Sequence, residues 1–104
     1  MQIIFKSQHL LNLYSETKDN NFKIQKTIVK KFRRVVNELY AIKKIDDLRS
    51  HVGLNYKKLK GDMRGISSVR LNRKFRILFN ELSLDSDQSQ IEILEILEIS
   101  NHYE

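Results

Sequence analysis

The chain has 104 residues, 40% of them apolar and 31% charged, which are values of a globular protein with one hydrophobic core and too few residues for two. Its formal net charge is +6, and its lack of cysteine excludes a disulfide framework, thiol nucleophiles and thiolate metal sites. No apolar run reaches membrane-spanning length, and Met1-Gln2-Ile3-Ile4-Phe5-Lys6 lacks the basic start and long apolar stretch of a signal peptide. A single domain over residues 1–104, cytoplasmic and without membrane contact, is therefore expected.

Ile3 to Lys6 reads as a short strand, and His9 to Tyr14 as a short helix. From Asn21 onward, Ile28, Phe32, Val35, Leu39 and Ile42 recur at three- and four-residue intervals, which predicts an amphipathic helix. Its other face carries Lys23, Lys26, Lys30, Arg33, Arg34 and Asn37, a pattern that a solvated helix surface explains without any ligand. Ile45 to Ser50 predicts one or two more helical turns. All three glycines, Gly53, Gly61 and Gly65, then punctuate a stretch expected to be loop.

After Gly65 the period changes. Val69-Arg70-Leu71-Asn72 and Phe75-Arg76-Ile77-Leu78-Phe79 alternate apolar residues with arginine, as strands with one buried face do, and Asn72-Arg73-Lys74 suits a tight connection without the usual glycine. Ile91 to Ile99 contains four β-branched residues in nine and is read as an inner strand, with Leu94 and Ile96 on one face and Ile93, Leu97 and Ile99 on the other. The order predicts an α+β domain, with helices packed on one face of a small, mostly antiparallel sheet.

Charge is sorted along this order. Lys57 to Arg76 holds eight of the nineteen Lys and Arg residues against one acid, Asp62, whereas the residues after Arg76 hold seven acids and no Lys or Arg. Cations concentrated on a turn and two strands create a local field for a polyanion, and nucleic acid is the ligand class it points to.

Cleaving RNA without a metal needs help in deprotonating the 2′-hydroxyl, cations on the phosphate, and an acid for the departing 5′-oxygen. Arg70 and Arg76 are the best phosphate clamps, because a guanidinium offers paired N–H donors and stays charged. Composition alone favours a plainer reading, surface salt bridges from them to Glu92, Glu95 or Glu98 on a neighbouring strand. His102 exchanges protons near neutral pH and follows a core strand, while Tyr103 can donate a hydrogen bond or stack on a base. Lys57, Lys58, Lys60, Arg64, Arg73 and Lys74 are candidate backbone contacts. His9 and His51 lack partners at metal-ligand spacing, so no zinc site is implied and no cofactor is expected. Gly61-Asp62-Met63-Arg64-Gly65 lacks the Lys-Ser/Thr ending of a phosphate loop.

Leu59-Lys60-Gly61-Asp62, Gly65, Ser68, Val69-Arg70-Leu71-Asn72, Phe75-Arg76-Ile77-Leu78-Phe79, the final Ile/Leu/Glu strand and Asn101-His102-Tyr103 together form a pattern. On these residues the chain resembles the HigB/RelE-like toxins of bacterial type II toxin-antitoxin systems, over about its last fifty residues. The resemblance implies a small α+β ribonuclease of microbial-ribonuclease-like fold that enters the ribosomal A site and cleaves messenger RNA. A cognate antitoxin, HigA-like or of another type, would silence it. Arg70 and Arg76 match family arginines at the scissile phosphate, His102 matches the histidine near the C-terminus of HigB-like members, and His102-Tyr103 resembles the YoeB ending. Lys60 matches the basic position of the Leu-Lys-Gly segment.

The chain also departs from the pattern. Ser100-Asn101-His102 stands where HigB-like members often end in Asp-Tyr-His, and Lys57 stands where some have histidine, so an acid and an aromatic are missing from the expected site. Two other activities fit the same features: a ParE-like toxin acting on DNA gyrase, and a non-enzymatic RNA-binding module.

Overall fold

The computed structural model describes residues 1–15, 26–85 and 90–101. Strand β1 (Gln2–Phe5) is followed by helices α1 (Gln8–Ser15) and α2 (Lys26–Ala41) and then by strands β2 (Lys57–Lys58), β3 (Ser67–Arg70), β4 (Arg76–Asp85) and β5 (Gln90–Ser100). They form one five-stranded sheet in the order β1-β5-β4-β3-β2. The β1–β5 pair is parallel and the other three are antiparallel, so the expected α+β arrangement is present.

Helix α2 buries Ile28, Val29, Phe32, Val35, Val36 and Leu39 along one stripe, which packs with Ile3, Val69, Ile77, Phe79, Leu94 and Ile96 from one side of the sheet. Apolar residues at helical spacing on α2 meet apolar residues at alternate positions on the strands, so a single core forms between the two layers. Ser7 starts α1 by accepting a hydrogen bond on Oγ from the backbone N of Leu10, at 3.2 Å. Of the cationic face expected on α2, Lys26, Lys30 and Arg34 are exposed. Arg33 instead ties the helices together, its Nε donating to the Leu13 carbonyl at 2.7 Å. Lys23 lies outside the described residues.

Two details differ from the sequence reading. The stretch between Gly53 and Gly65 is more than a loop, because it contains strand β2 and two short 3₁₀ turns, Val52–Leu54 and Gly61–Met63. Gly61 (φ 66°) and Gly65 (φ 97°) supply the left-handed backbone that this passage needs. In β5, Leu94 and Ile96 face the core as expected, but Ile99 does too. A register shift between Leu78 and Phe79 pairs Phe79 with Ile96 and Leu78 with Glu98, so Leu97 is an extra residue and the alternation inverts beyond it. Ile99 thereby comes opposite Ile77 and packs against the core.

The glycine-free turn between β3 and β4 is organised by a side chain. Asn72 Oδ1 accepts from the backbone N of both Lys74 and Phe75, at 2.8 Å each, and this replaces the backbone geometry that glycine would otherwise provide.

Candidate nucleic-acid interface and active site

Strand register decides which cations meet. Val69 and Ile77 are opposite one another on the helix side, so their neighbours Arg70 and Arg76, also opposite one another, project from the open side. Lys57 is paired with Ser68, and Arg76 with Ser100 on β5, which puts Lys57, Ser68, Arg70, Arg76 and Ser100 on that same open side. Lys58 is paired with Ser67 on the helix side and is therefore separated from this group. Lys60 and Arg64 are exposed on either side of the Gly61–Met63 turn, and Arg73 and Lys74 are exposed in the β3–β4 turn. The predicted cations thus fall into a central group, Lys57, Arg70 and Arg76, with Lys60, Arg64, Arg73 and Lys74 on two flanking turns. His102 and Tyr103 lie outside the described residues.

Both arginines are half-buried, and each is held by neutral acceptors. Arg70 Nε donates to the Asn72 carbonyl at 3.3 Å. Arg76 Nε donates to Ser68 Oγ at 2.8 Å, and its Nη2 donates to the Asn55 carbonyl at 2.5 Å. Two of the acids considered as salt-bridge partners take part in other hydrogen bonds. Glu95 accepts from Asn80 Nδ2 at 3.1 Å, Glu92 accepts from the backbone N of Ile45 at 3.4 Å, and Glu98 is exposed opposite Leu78.

A second polar group sits on the helix side of the sheet and was not anticipated from the sequence. The Glu81 carboxylate accepts hydrogen bonds from Tyr56 Oη and from Ser67 Oγ, while the Arg49 guanidinium lies 5.0 Å from the centre of the Tyr56 ring. Burial pushes the Tyr56 hydroxyl above its ordinary pKa, and the hydrogen bond to the Glu81 carboxylate pushes it the same way. These residues are far apart in sequence, and only the alternation of β3 and β4 signals that Ser67 and Glu81 share a side. Nearby, a polar cavity of about 650 Å³ is lined by Lys43, Lys44, Asp46, Glu81 and Glu92 among others, away from the two arginines.

His51 Nδ1 lies 3.6 Å from Glu38 Oε2 at the surface, and among the described residues there is no group of three or more His, Cys, Asp or Glu that could hold a metal ion. Among the described residues no helix is long and apolar enough to cross a membrane.

Comparisons with known proteins place this geometry in a family. The fold is similar to that of a YoeB/ParE toxin from Agrobacterium tumefaciens, with 20% identity, a TM-score of 0.51, and coverage of 99% of this chain and 100% of the other. It is also similar to YafQ from E. coli strain BL21(DE3), with 8% identity, a TM-score of 0.53, and coverage of 96% of this chain and 91% of the other. At these identities the likeness is one of fold. No curated protein matches the chain. A family model, however, described as the RelE-like toxin of type II toxin-antitoxin system HigB, matches residues 3–91 and so spans β1, both helices and the whole basic surface. The chain belongs to the HigB-like toxin family, the RelE-like toxins of type II toxin-antitoxin systems.

Proposed function

We propose that this toxin is a metal-independent endoribonuclease that cleaves messenger RNA on the ribosome and so inhibits translation. The observation that carries the reading is the pairing of Arg70 with Arg76 on the open side of the sheet, with Lys57 on the same side, in a chain of this family. Two fixed guanidinium groups side by side provide the donors that a pentacoordinate phosphorane needs, and they stay charged at any working pH. In the proposed reaction the 2′-oxygen attacks phosphorus as its proton leaves, the bond from phosphorus to the 5′-oxygen breaks, and that oxygen takes up a proton. Arg70, Arg76 and Lys60 stabilise the phosphorane charge, His102 exchanges the proton, and Tyr103 positions a base. Lys57, Arg64, Arg73 and Lys74 hold the RNA backbone at and around the arginine pair.

A toxin of this system has an antitoxin as its partner. We propose a HigA-like or other acidic antitoxin that covers the basic side, where its carboxylates find Lys57, Arg70 and Arg76.

The test is expression of the wild type and of His102→Ala in cells, with messenger-RNA ends mapped. Removal of one positioned acid-base group is expected to lower cleavage by about 10² to 10⁴. Equal cleavage by both proteins removes His102 from the mechanism. Damaged DNA with intact transcripts would instead identify a ParE-like toxin, and unaffected growth and transcripts an RNA-binding module.

A further inference from the structure

Arg76 is anchored by two residues that no sequence motif singles out. Ser68 is fully buried, and its Oγ accepts from Arg76 Nε at 2.8 Å. A buried hydroxyl is costly unless it is hydrogen-bonded, so this contact fixes both partners. Asn55 ends the Val52–Leu54 turn with φ 49° and ψ 53°, and among the described residues it is the one non-glycine with positive φ. Asn tolerates this left-handed backbone better than most residues do. The conformation turns the Asn55 carbonyl toward the sheet, where it accepts from Arg76 Nη2 at 2.5 Å.

Nε and Nη2 of the guanidinium thus each donate a hydrogen bond to the protein, to acceptors from two separate elements. Because Ser68 Oγ and the Asn55 carbonyl are uncharged, they orient the guanidinium without neutralising it, whereas a carboxylate in either place would cancel the charge that catalysis uses.

We infer that Ser68 and the left-handed Asn55 are positioning residues that orient the Arg76 guanidinium for the reacting phosphate. The inference rests on the reading of Arg76 as a phosphate-stabilising residue. Pre-set orientation acts on the chemical step more than on RNA binding, since the positive charge remains when the anchors are lost.

The test uses the full-length toxin on ribosomes programmed with a defined messenger RNA, with kcat and KM measured separately and folding checked by urea midpoint. Ser68→Ala and Asn55→Val are expected to lower kcat by about ten- to a hundredfold while KM stays within about threefold of the wild type. Asn55→Gly, which keeps both the carbonyl and the left-handed backbone, is expected to retain wild-type kcat, and Ser68→Thr to recover most of it. In an Arg76→Lys background, which presents no guanidinium, Ser68→Ala is expected to add no further loss. If Arg76→Ala abolishes cleavage but Ser68→Ala and Asn55→Val keep wild-type kcat, the positioning role is wrong and the catalytic reading stands. Equal losses from Asn55→Gly and Asn55→Val, or an undiminished Ser68→Ala effect in the Arg76→Lys background, would also overturn it. Full cleavage by Arg76→Ala would overturn the reading of Arg76 itself, and the positioning role with it.

Discussion

Arg70 and Arg76 are directly opposed across the β3–β4 ladder, two permanent cations at one pair position on the open side of the sheet. Like charges in this arrangement repel and destabilise a sheet. Their presence opposite one another has a stability cost, which a phosphate bound as proposed would offset. Arg70→Gln is therefore expected to raise the unfolding free energy by about 0.2–1 kcal/mol and to lower messenger-RNA cleavage by about 10² to 10³. Chemical denaturation and mapped transcript ends measure the two effects, and a variant that is both less stable and fully active contradicts the argument.

Lys57 and Lys58 are adjacent in sequence but belong to opposite sides of the sheet, because Lys57 pairs with Ser68 and Lys58 with Ser67. Binding of a single-stranded RNA to Lys57→Gln should weaken, and the slope of log affinity against log salt should fall by about 0.7 if one phosphate contact is lost. Lys58→Gln should leave affinity and slope unchanged. Equal effects from the two substitutions would mean that the RNA does not lie on the open side.

The turn that sets the arginine pair depends on Asn72, whose Oδ1 accepts from two backbone N–H groups. Asn72→Ala removes both bonds and is expected to cost about 1–3 kcal/mol. Asn72→Asp keeps the acceptor and should stay within about 1 kcal/mol of the wild type. Urea midpoints of the three proteins decide between this account and one in which the turn is held by β3–β4 pairing alone.

Tyr56 links stability to pH on the other side of the sheet. Burial and the Glu81 hydrogen bond raise its folded pKa above the ordinary value, so its neutral form is the one that the fold favours. The contribution is fully present below the unfolded value of about 10 and is lost as pH rises through the folded value. The stability difference between the wild type and Tyr56→Phe should therefore shrink above about pH 10. Glu81→Ala deprives Tyr56 and the buried Ser67 hydroxyl of their shared acceptor and is expected to cost about 1–3 kcal/mol, with the Tyr56 titration moving down. A Tyr56 titration unmoved by Glu81→Ala, followed by near-ultraviolet absorbance, would show that burial alone sets it.

The local patterns were legible in the sequence because they depend on short-range periodicity. The three- and four-residue spacing from Ile28 to Leu39 gave α2, alternation around Arg70 and Arg76 gave two strands with both arginines leaving the core, and β-branched residues gave β5. The sorting of charge between Lys57 and Arg76 is likewise a property of the chain itself. The tertiary structure decided what depends on pairing between distant segments. Adjacent lysines were assigned to opposite sides by two residues of β2, Ile99 was turned to the core by the extra Leu97, and the Tyr56–Ser67–Glu81 group was assembled from three separate elements. Above all, the acceptors of Arg76 come from Ser68, across the β3–β4 pair, and from the Asn55 carbonyl, twenty-one residues away. Periodicity fixes which way a side chain leaves its own strand, whereas the direction in which a guanidinium points is set by acceptors that reach it only when the sheet and its connecting turn close around it.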